Sequence, residues 1–410
     1  MRHPVHRPAR TRARWLVLLP LVWASLTGPA AACPFCGPVT EPLAHRRARA
    51  TTVAVGETLK PAAPAPSEQI PTEQGPAGRR HQAFHLLATA VSGPTGLRLQ
   101  PAAEDTAAIV ATVTATFTGT AVLFHEQAGN WQALPADELL IDYCLSAPSP
   151  TSEAAADADR LRWFVRWLEH PSAAIAADAY AECAVAPFDA VRGAAEAFDA
   201  SRLAGWLTDT AIDPQRCGFY GLAAGLVARQ RQGRDAAVCR RALQAAVSTR
   251  HASDFRAGTD GLFAGLLIAD GKAALATFES LGLFAASGSP VAQRQLLQAL
   301  RFAWEEPAGT LPRDQVVRAT SRLLTLPHLA REAVIDLARY QAWEACRDVV
   351  RLWDELGPAD PLIRPAVAGY LLACPLPEAA RALADLRARD ADGVAKAIEA
   401  FRLPLPAGAD

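Results

Sequence analysis

Lysine is nearly missing from this chain of 410 residues: it stands only at Lys60, Lys272 and Lys396, and arginine supplies the remaining positive charge. The formal net charge is -1, from 41 basic and 42 acidic residues, and no stretch gathers the bases into a stripe. Phosphate backbones are held by clustered excess positive charge, so no nucleic-acid partner is expected. The preference for arginine, with abundant alanine, reads as genome base composition rather than guanidinium chemistry, because no phosphate-binding motif accompanies it. Reaction motifs are lacking as well. There is no G-x-S-x-G elbow, no phosphate-cradling glycine loop and no dinucleotide fingerprint, and Gly56 and Gly221 stand isolated. His125-Glu126 opens like a zinc-protease helix, but Gly129 occupies the place of the second histidine. His81 and His85 would share a helix face, yet their segment reads as a strand, where four residues set the rings roughly 13 Å apart. No metal and no cofactor is expected. Nor does any apolar run approach the roughly twenty residues that cross a bilayer core.

What is present begins with an export signal. Arg2, Arg7, Arg10, Arg12 and Arg14 precede an apolar run from Trp15 to Leu26, broken only by Pro20 and Ser25, and then Ala30-Ala31-Ala32. A positive region, a short apolar region and a small-residue cleavage site describe a secretory signal over 1–32, leaving Cys33 as the first mature residue of a periplasmic or extracellular protein. No adjacent arginine pair points to the twin-arginine route. Lipoprotein signals also end before cysteine but usually carry Leu three residues earlier, where Ala30 stands, so a lipid anchor on Cys33 is possible and not favoured.

Export changes the meaning of the eight cysteines. Cys33-Pro34-Phe35-Cys36 is not a haem site, since Gly37 follows it, and no ligand-spaced partners complete a zinc site. The same four letters match the glutaredoxin active site, so a thiol-disulfide protein using Cys33 and Cys36 is one reading. The flanking residues lack the strand and helix that such a site needs, so a structural bridge is the first expectation, either Cys33 with Cys36 or one of them with Cys144. The other five cysteines fall singly in helical patterns, as small core residues do.

Two regimes follow. Residues 50–56, 85–91, 108–117 and 139–144 are short, rich in β-branched residues and separated by Gly, Pro and Asn turns, which predicts a small antiparallel β-barrel or sandwich of OB-like type over 33–147. Residues 60–80, dominated by Pro, Ala, Gln and Glu, are expected as a mobile loop. From 148 to 410 nearly everything reads as helix. Leu161, Phe164, Val165 and Leu168 recur at helical spacing, with Arg160, Arg162 and Arg166 on the other side. Pro171, Pro214, Pro290, Pro327 and Pro361 each precede an Ala/Leu-rich helix, at intervals that are multiples of roughly 35 to 45 residues. That recurrence predicts an α-solenoid of two-helix repeats: 153–169 with 171–185, 200–208 with 214–229, 235–248 with 259–270, 272–282 with 290–305, 312–325 with 327–340, and 343–356 with 361–373. Helices at 377–389 and 391–402 close it. Repeat length, and the lack of a tetratricopeptide pattern, favour the HEAT-like class, so the fold class is α+β multidomain.

ACPFC after the signal, Leu-Glu-His-Pro and Ala-Asp-Ala-Tyr-Ala-Glu-Cys-Ala (Leu168 to Ala184), Gly-Phe-Tyr-Gly-Leu (Gly218 to Leu222) and Ala-Leu-Arg-Phe-Ala-Trp-Glu-Glu (Ala299 to Glu306) together resemble a family of exported planctomycete-type bacterial proteins with no known activity. The resemblance covers most of the mature chain. It implies export and a HEAT-like fold and carries over no functional residues.

The carboxylate pairs Asp178/Glu182 and Glu332/Asp336, each one helical turn apart, are expected on solvated helix faces rather than as an acid–base pair. The tryptophans fall at core spacing. The expected function is therefore a non-enzymatic scaffold that binds a protein or peptide on the concave face lined by the second helices. The expected contact residues are polar positions early in those helices: Asp178, Glu182, Arg216, Arg294, Gln298, Arg301, Glu332, Asp336, Arg339 and Arg364. A further reading, by analogy of fold, is a protease inhibitor of netrin-like type, whose N-terminal cysteine leads into an OB-like barrel. Cys33-x-x-Cys36 departs from the Cys-x-Cys of those inhibitors.

Overall fold

A computed structural model describes residues 33–59, 80–93, 96–103, 106–151, 153–251, 257–306 and 311–402, all within one compact unit. The expected signal at 1–32 and most of the expected loop at 60–80 lie outside the described residues.

A short helix α1, Leu43–Arg49, leads into six strands: β1 Thr52–Thr58, β2 Arg80–Gly93, β3 Gly96–Pro101, β4 Ile109–Val113, β5 Thr120–His125 and β6 Trp131–Pro135. The order is β1-β5-β6-β4-β2-β3, and β1 also pairs with β2, so five strands close on themselves into a barrel and β3 hangs on the outer half of β2. All neighbours are antiparallel except β4 and β6. Strand periodicity sorts the side chains. Ala54, Ala121 and Leu123 turn into the barrel with Phe84, Ala111 and Val113, while Val53, Val55, Val122 and Phe124 turn outward. At Gly56 the β1–β2 register shifts, and a Cβ there would sit 2.9 Å from the His85 carbonyl, so the bulge needs glycine.

Residues 139–144, expected as a strand, form a helix instead: α2, Glu138–Ser146. The reason is local. Asp137 caps it by accepting the Leu140 N–H at 2.8 Å, and Leu140, Ile141, Tyr143 and Cys144 fall on one buried side. Arg47 crosses from α1 to bind the carbonyls of Cys144, Leu145 and Ala147, holding the end of α2. The outward face of the barrel shares its core with Phe164 and Ile175, which belong to the next two helices, α3 Ala154–Val165 and α4 Ala173–Val185.

Thirteen further helices follow among the described residues: α5 Phe188–Gly193, α6 Ala200–Thr208, α7 Cys217–Gln230, α8 Gly233–His251, α9 Thr259–Asp270, α10 Lys272–Ser280, α11 Pro290–Glu305, α12 Arg313–Leu323, α13 Pro327–Arg339, α14 Cys346–Glu355, α15 Ile363–Ala373, α16 Pro377–Arg389 and α17 Ala391–Arg402. Alternate helices stack: α7 on α9, α9 on α11, α11 on α13, α13 on α15 and α15 on α17, with α6 on α8 behind. The closest approach is a glycine seam. Gly218, Gly221 and Gly225 of α7 face Gly258, which leads into α9, and Gly261 and Gly265 within it, and a Cβ on Gly265 would lie 2.0 Å from the Gly221 carbonyl oxygen. Gly221, which looks isolated in the sequence, is half of a backbone-to-backbone contact.

The second helices differ in how they are covered. In α7 every residue from Cys217 to Ala228 is buried, and in α9 every residue from Gly261 to Ala269. Both are enclosed on all sides. By contrast α11 and α13 each keep one face in water, the amphipathic pattern of a helix at a surface. No helix among the described residues is long and apolar enough to cross a membrane.

Candidate functional site

Three places hold the residues singled out in the sequence. The first is the N-terminal turn. Cys33 and Cys36 are bridged to each other, and Cys144 is a free buried thiol whose pKa burial pushes up to about 12, so the alternative bridge to Cys144 is not formed. The Cys33 N–H donates to the Ala184 carbonyl at 2.9 Å, in the last turn of α4. Phe35 is buried, its ring edge-on to Phe302 with centroids 5.1 Å apart, and Phe302 meets Phe188 at 5.0 Å. Gly218 leaves room for the turn: a Cβ there would come within 2.7 Å of the Phe35 carbonyl. Nearby, Glu169 holds a left-handed backbone (φ 53°) while its Oε1 accepts from Arg216 Nη1 at 2.8 Å and from the Tyr220 hydroxyl. The five segments quoted from the sequence thus meet around one turn. ACPFC seats Phe35 against Ala184, Gly218 and Phe302, and Leu-Glu-His-Pro ties itself to Arg216 and Tyr220.

The second place is a buried ionic network where α1, α2, α3 and α4 meet. Glu182 is fully buried; its Oε2 accepts from Arg160 Nη1 at 2.6 Å and lies 3.4 Å from His45 Nε2. Arg160 also donates to Asp157 at 2.7 Å. Asp178 accepts from the Leu43 N–H at 2.7 Å and the Tyr143 hydroxyl at 2.8 Å, and its carboxyl is raised to about 6 because burial outweighs those two donors. The expectation of a solvated face is overturned for Asp178 and Glu182, and Arg160 turns inward rather than to water. The cause is the packing of α1 and α2 over α4, which spacing within α4 alone does not reveal. Asp157, three residues before Arg160 on one helix, was the available sequence signal.

The third place is the open face of α11 and α13. Arg301 Nε meets Asp336 Oδ2 at 2.6 Å, Arg339 lies 3.7 Å from the other Asp336 oxygen, and Arg294 lies 3.6 Å from Glu332, so five of the expected contact residues come together. Gln298 is exposed on the same α11 ridge. Asp336 is buried, again against expectation, and burial raises its carboxyl despite Arg301. Arg364 lies farther on, over the ring of Trp353 and 3.4 Å from Asp390. Trp304 stacks on Tyr340 at 4.1 Å beneath this face, a packing role consistent with its spacing.

His81 and His85 are exposed on β2, and among the described residues no group of three or more His, Cys, Asp or Glu side chains is placed to hold a metal ion. Comparison of the chain with protein families, curated proteins and solved structures finds no match.

Proposed function

We propose that this is a non-enzymatic extracytoplasmic scaffold that docks a protein or peptide on the α11–α13 face, and that residues 1–32 direct its export. The observation that carries the reading is the contrast between second helices: α7 and α9 are enclosed, whereas α11 and α13 carry an exposed ridge of charged side chains already ordered by Asp336 and Glu332. Ordering such long side chains beforehand lowers the entropy lost on binding. The helix-upon-alternate-helix stacking from α9 to α17 supports a HEAT-like array, whose curved surfaces serve as docking walls. The barrel order β1-β2-β4-β6-β5-β1, with its one parallel pair, supports an OB-like reading of the first part.

The test is a photo-cross-linking residue placed at Gln298 in the exported protein, with Arg318 on the exposed face of α12 as the control. Cross-linked product from position 298 and none from 318 is the expected result. Equal yields at both positions overturn the reading.

The Cys33–Cys36 bridge keeps the thiol-disulfide reading alive as an alternative. Against it, the turn lies at the C-terminal end of α4, the negative end of the helix dipole, which disfavours a thiolate, and Phe35 is buried beneath the bridge. The inhibitor reading needs a free Cys33 nitrogen and meets one already bonded to Ala184. A lipid thioether would need the Cys33 sulfur that the bridge occupies.

A further inference from the structure

We infer that the partner of the α11–α13 face is an acidic segment bearing at least one aliphatic side chain; this rests on the docking reading above and specifies its chemistry. Charge decides the first half. Arg294 and Arg339 have side chains 55% and 70% exposed, and Arg331 and Arg301 stand half-buried on the same ridge, whereas of the two carboxylates there Asp336 is buried and Glu332 half-buried. Asp336 is 1% exposed and already shared between Arg301 and Arg339, and Glu332 lies between Arg294 and Arg331. Four guanidinium groups against two carboxylates, with the two most exposed groups both arginines, leave this face positive toward solvent. From Arg294 to Arg301 the ridge runs seven residues along one helix, about 10 Å, enough to meet two carboxylates of a partner segment. Guanidinium forks match carboxylates two bonds at a time, which favours this occupant over a neutral polar one.

Apolar contacts decide the second half. Val291 is 55% exposed at the start of α11, one turn before Arg294, and Ile335 is 37% exposed in α13, one turn before Arg339. Burying either needs an aliphatic group between the acids, and a partner made of carboxylates alone would leave both wet. Glu305, exposed at the far end of α11, repels acids there and limits the acidic part of the segment to the stretch around Arg294 and Arg339.

The test uses the full exported chain and two labelled peptides of about twelve residues, one alternating Glu with Leu and the other Lys with Leu, followed by fluorescence anisotropy. The Glu/Leu peptide is expected to bind saturably and to weaken as NaCl rises from about 50 to 200 mM, since exposed pairs are screened on that scale. R294E/R339E is expected to weaken it about tenfold, and R294Q/R339Q to give a smaller loss, as partly exposed charge contacts do. Circular dichroism confirms that each variant keeps its helices. Unchanged affinity in R294E/R339E, tighter binding of the Lys/Leu peptide, or no saturable binding of the Glu/Leu peptide overturns the acidic assignment. The Gln298 cross-link decides separately whether the docking reading stands.

Discussion

Arg160 carries two carboxylates, Asp157 and Glu182, at a depth where water does not replace it. Removing one partner of a buried ion pair strands the other charge, so Arg160→Ala is expected to lower unfolding stability by about 3 to 5 kcal/mol, read from urea denaturation. An Arg162→Ala control, at a side chain paired near the surface with Asp159, is expected to shift it by less than about 1 kcal/mol. Asp178 gives a pH signature. Its folded pKa, about 6, lies above the ordinary value of 3.8, so the stability it contributes is full at low pH and is lost as pH rises through that value. Between about pH 5 and pH 7 the protein is expected to lose about 1 kcal/mol from this group, and Asp178→Asn should flatten that part of the urea-midpoint profile. An unchanged slope in the variant removes Asp178 as the cause. These roles were hidden in the sequence because they depend on α1 and α2 lying over α4, contacts more than a hundred residues apart in the case of Leu43 and Asp178. The Arg301–Asp336 and Arg294–Glu332 pairs, by contrast, join residues that helical spacing had already placed on corresponding turns of neighbouring repeats.

The α7–α9 pair depends on the absence of side chains. Gly265→Ala would drive a methyl group into the Gly221 carbonyl, and is expected to cost about 3 kcal/mol or more because backbone, not a side chain, would have to move. Gly205, on α6 with open space around it, is the counterpart: Gly205→Ala is expected to raise stability by about 0.5 to 1 kcal/mol. The two melting shifts should have opposite signs. The N-terminal turn acts as a strap. Phe35→Ala is expected to cost about 3 kcal/mol through the hole left against Phe302, while reduction of Cys33–Cys36 should lower the melting temperature without conferring insulin-reducing activity. Insulin reduction by the wild-type protein would restore the redox reading. At this scale most helices were legible, because proline at the first helical turn and the 3.6-residue pattern coincide, as at Pro290 and Pro327. Strand β5 was not. Ala121 to Phe124 are buried on both faces, so the alternation that marks a half-buried strand is missing. Residues 139–144 misled for a related reason: a short apolar run does not distinguish strand from helix, and Asp137 settled it.

Over the whole chain, burial is uneven. The Phe35 strap, α7 and α9 share one apolar cluster that runs on to α17, apart from the barrel interior and from the cluster between the barrel's outer face and α1 to α4; toward its end exposed apolar residues appear, Leu372 in α15, Leu376 before α16 and Phe401 in α17. Amide hydrogen exchange is expected to be slowest in α7 and α9 and progressively faster toward α17, since opening free energy follows local burial. In engineering terms the enclosed α7 and α9 are a footing on which the later helices are laid in courses. Compliance accumulates course by course from that footing, so the occupant proposed above would meet a stiff seat at α11 and a more yielding one beyond α13.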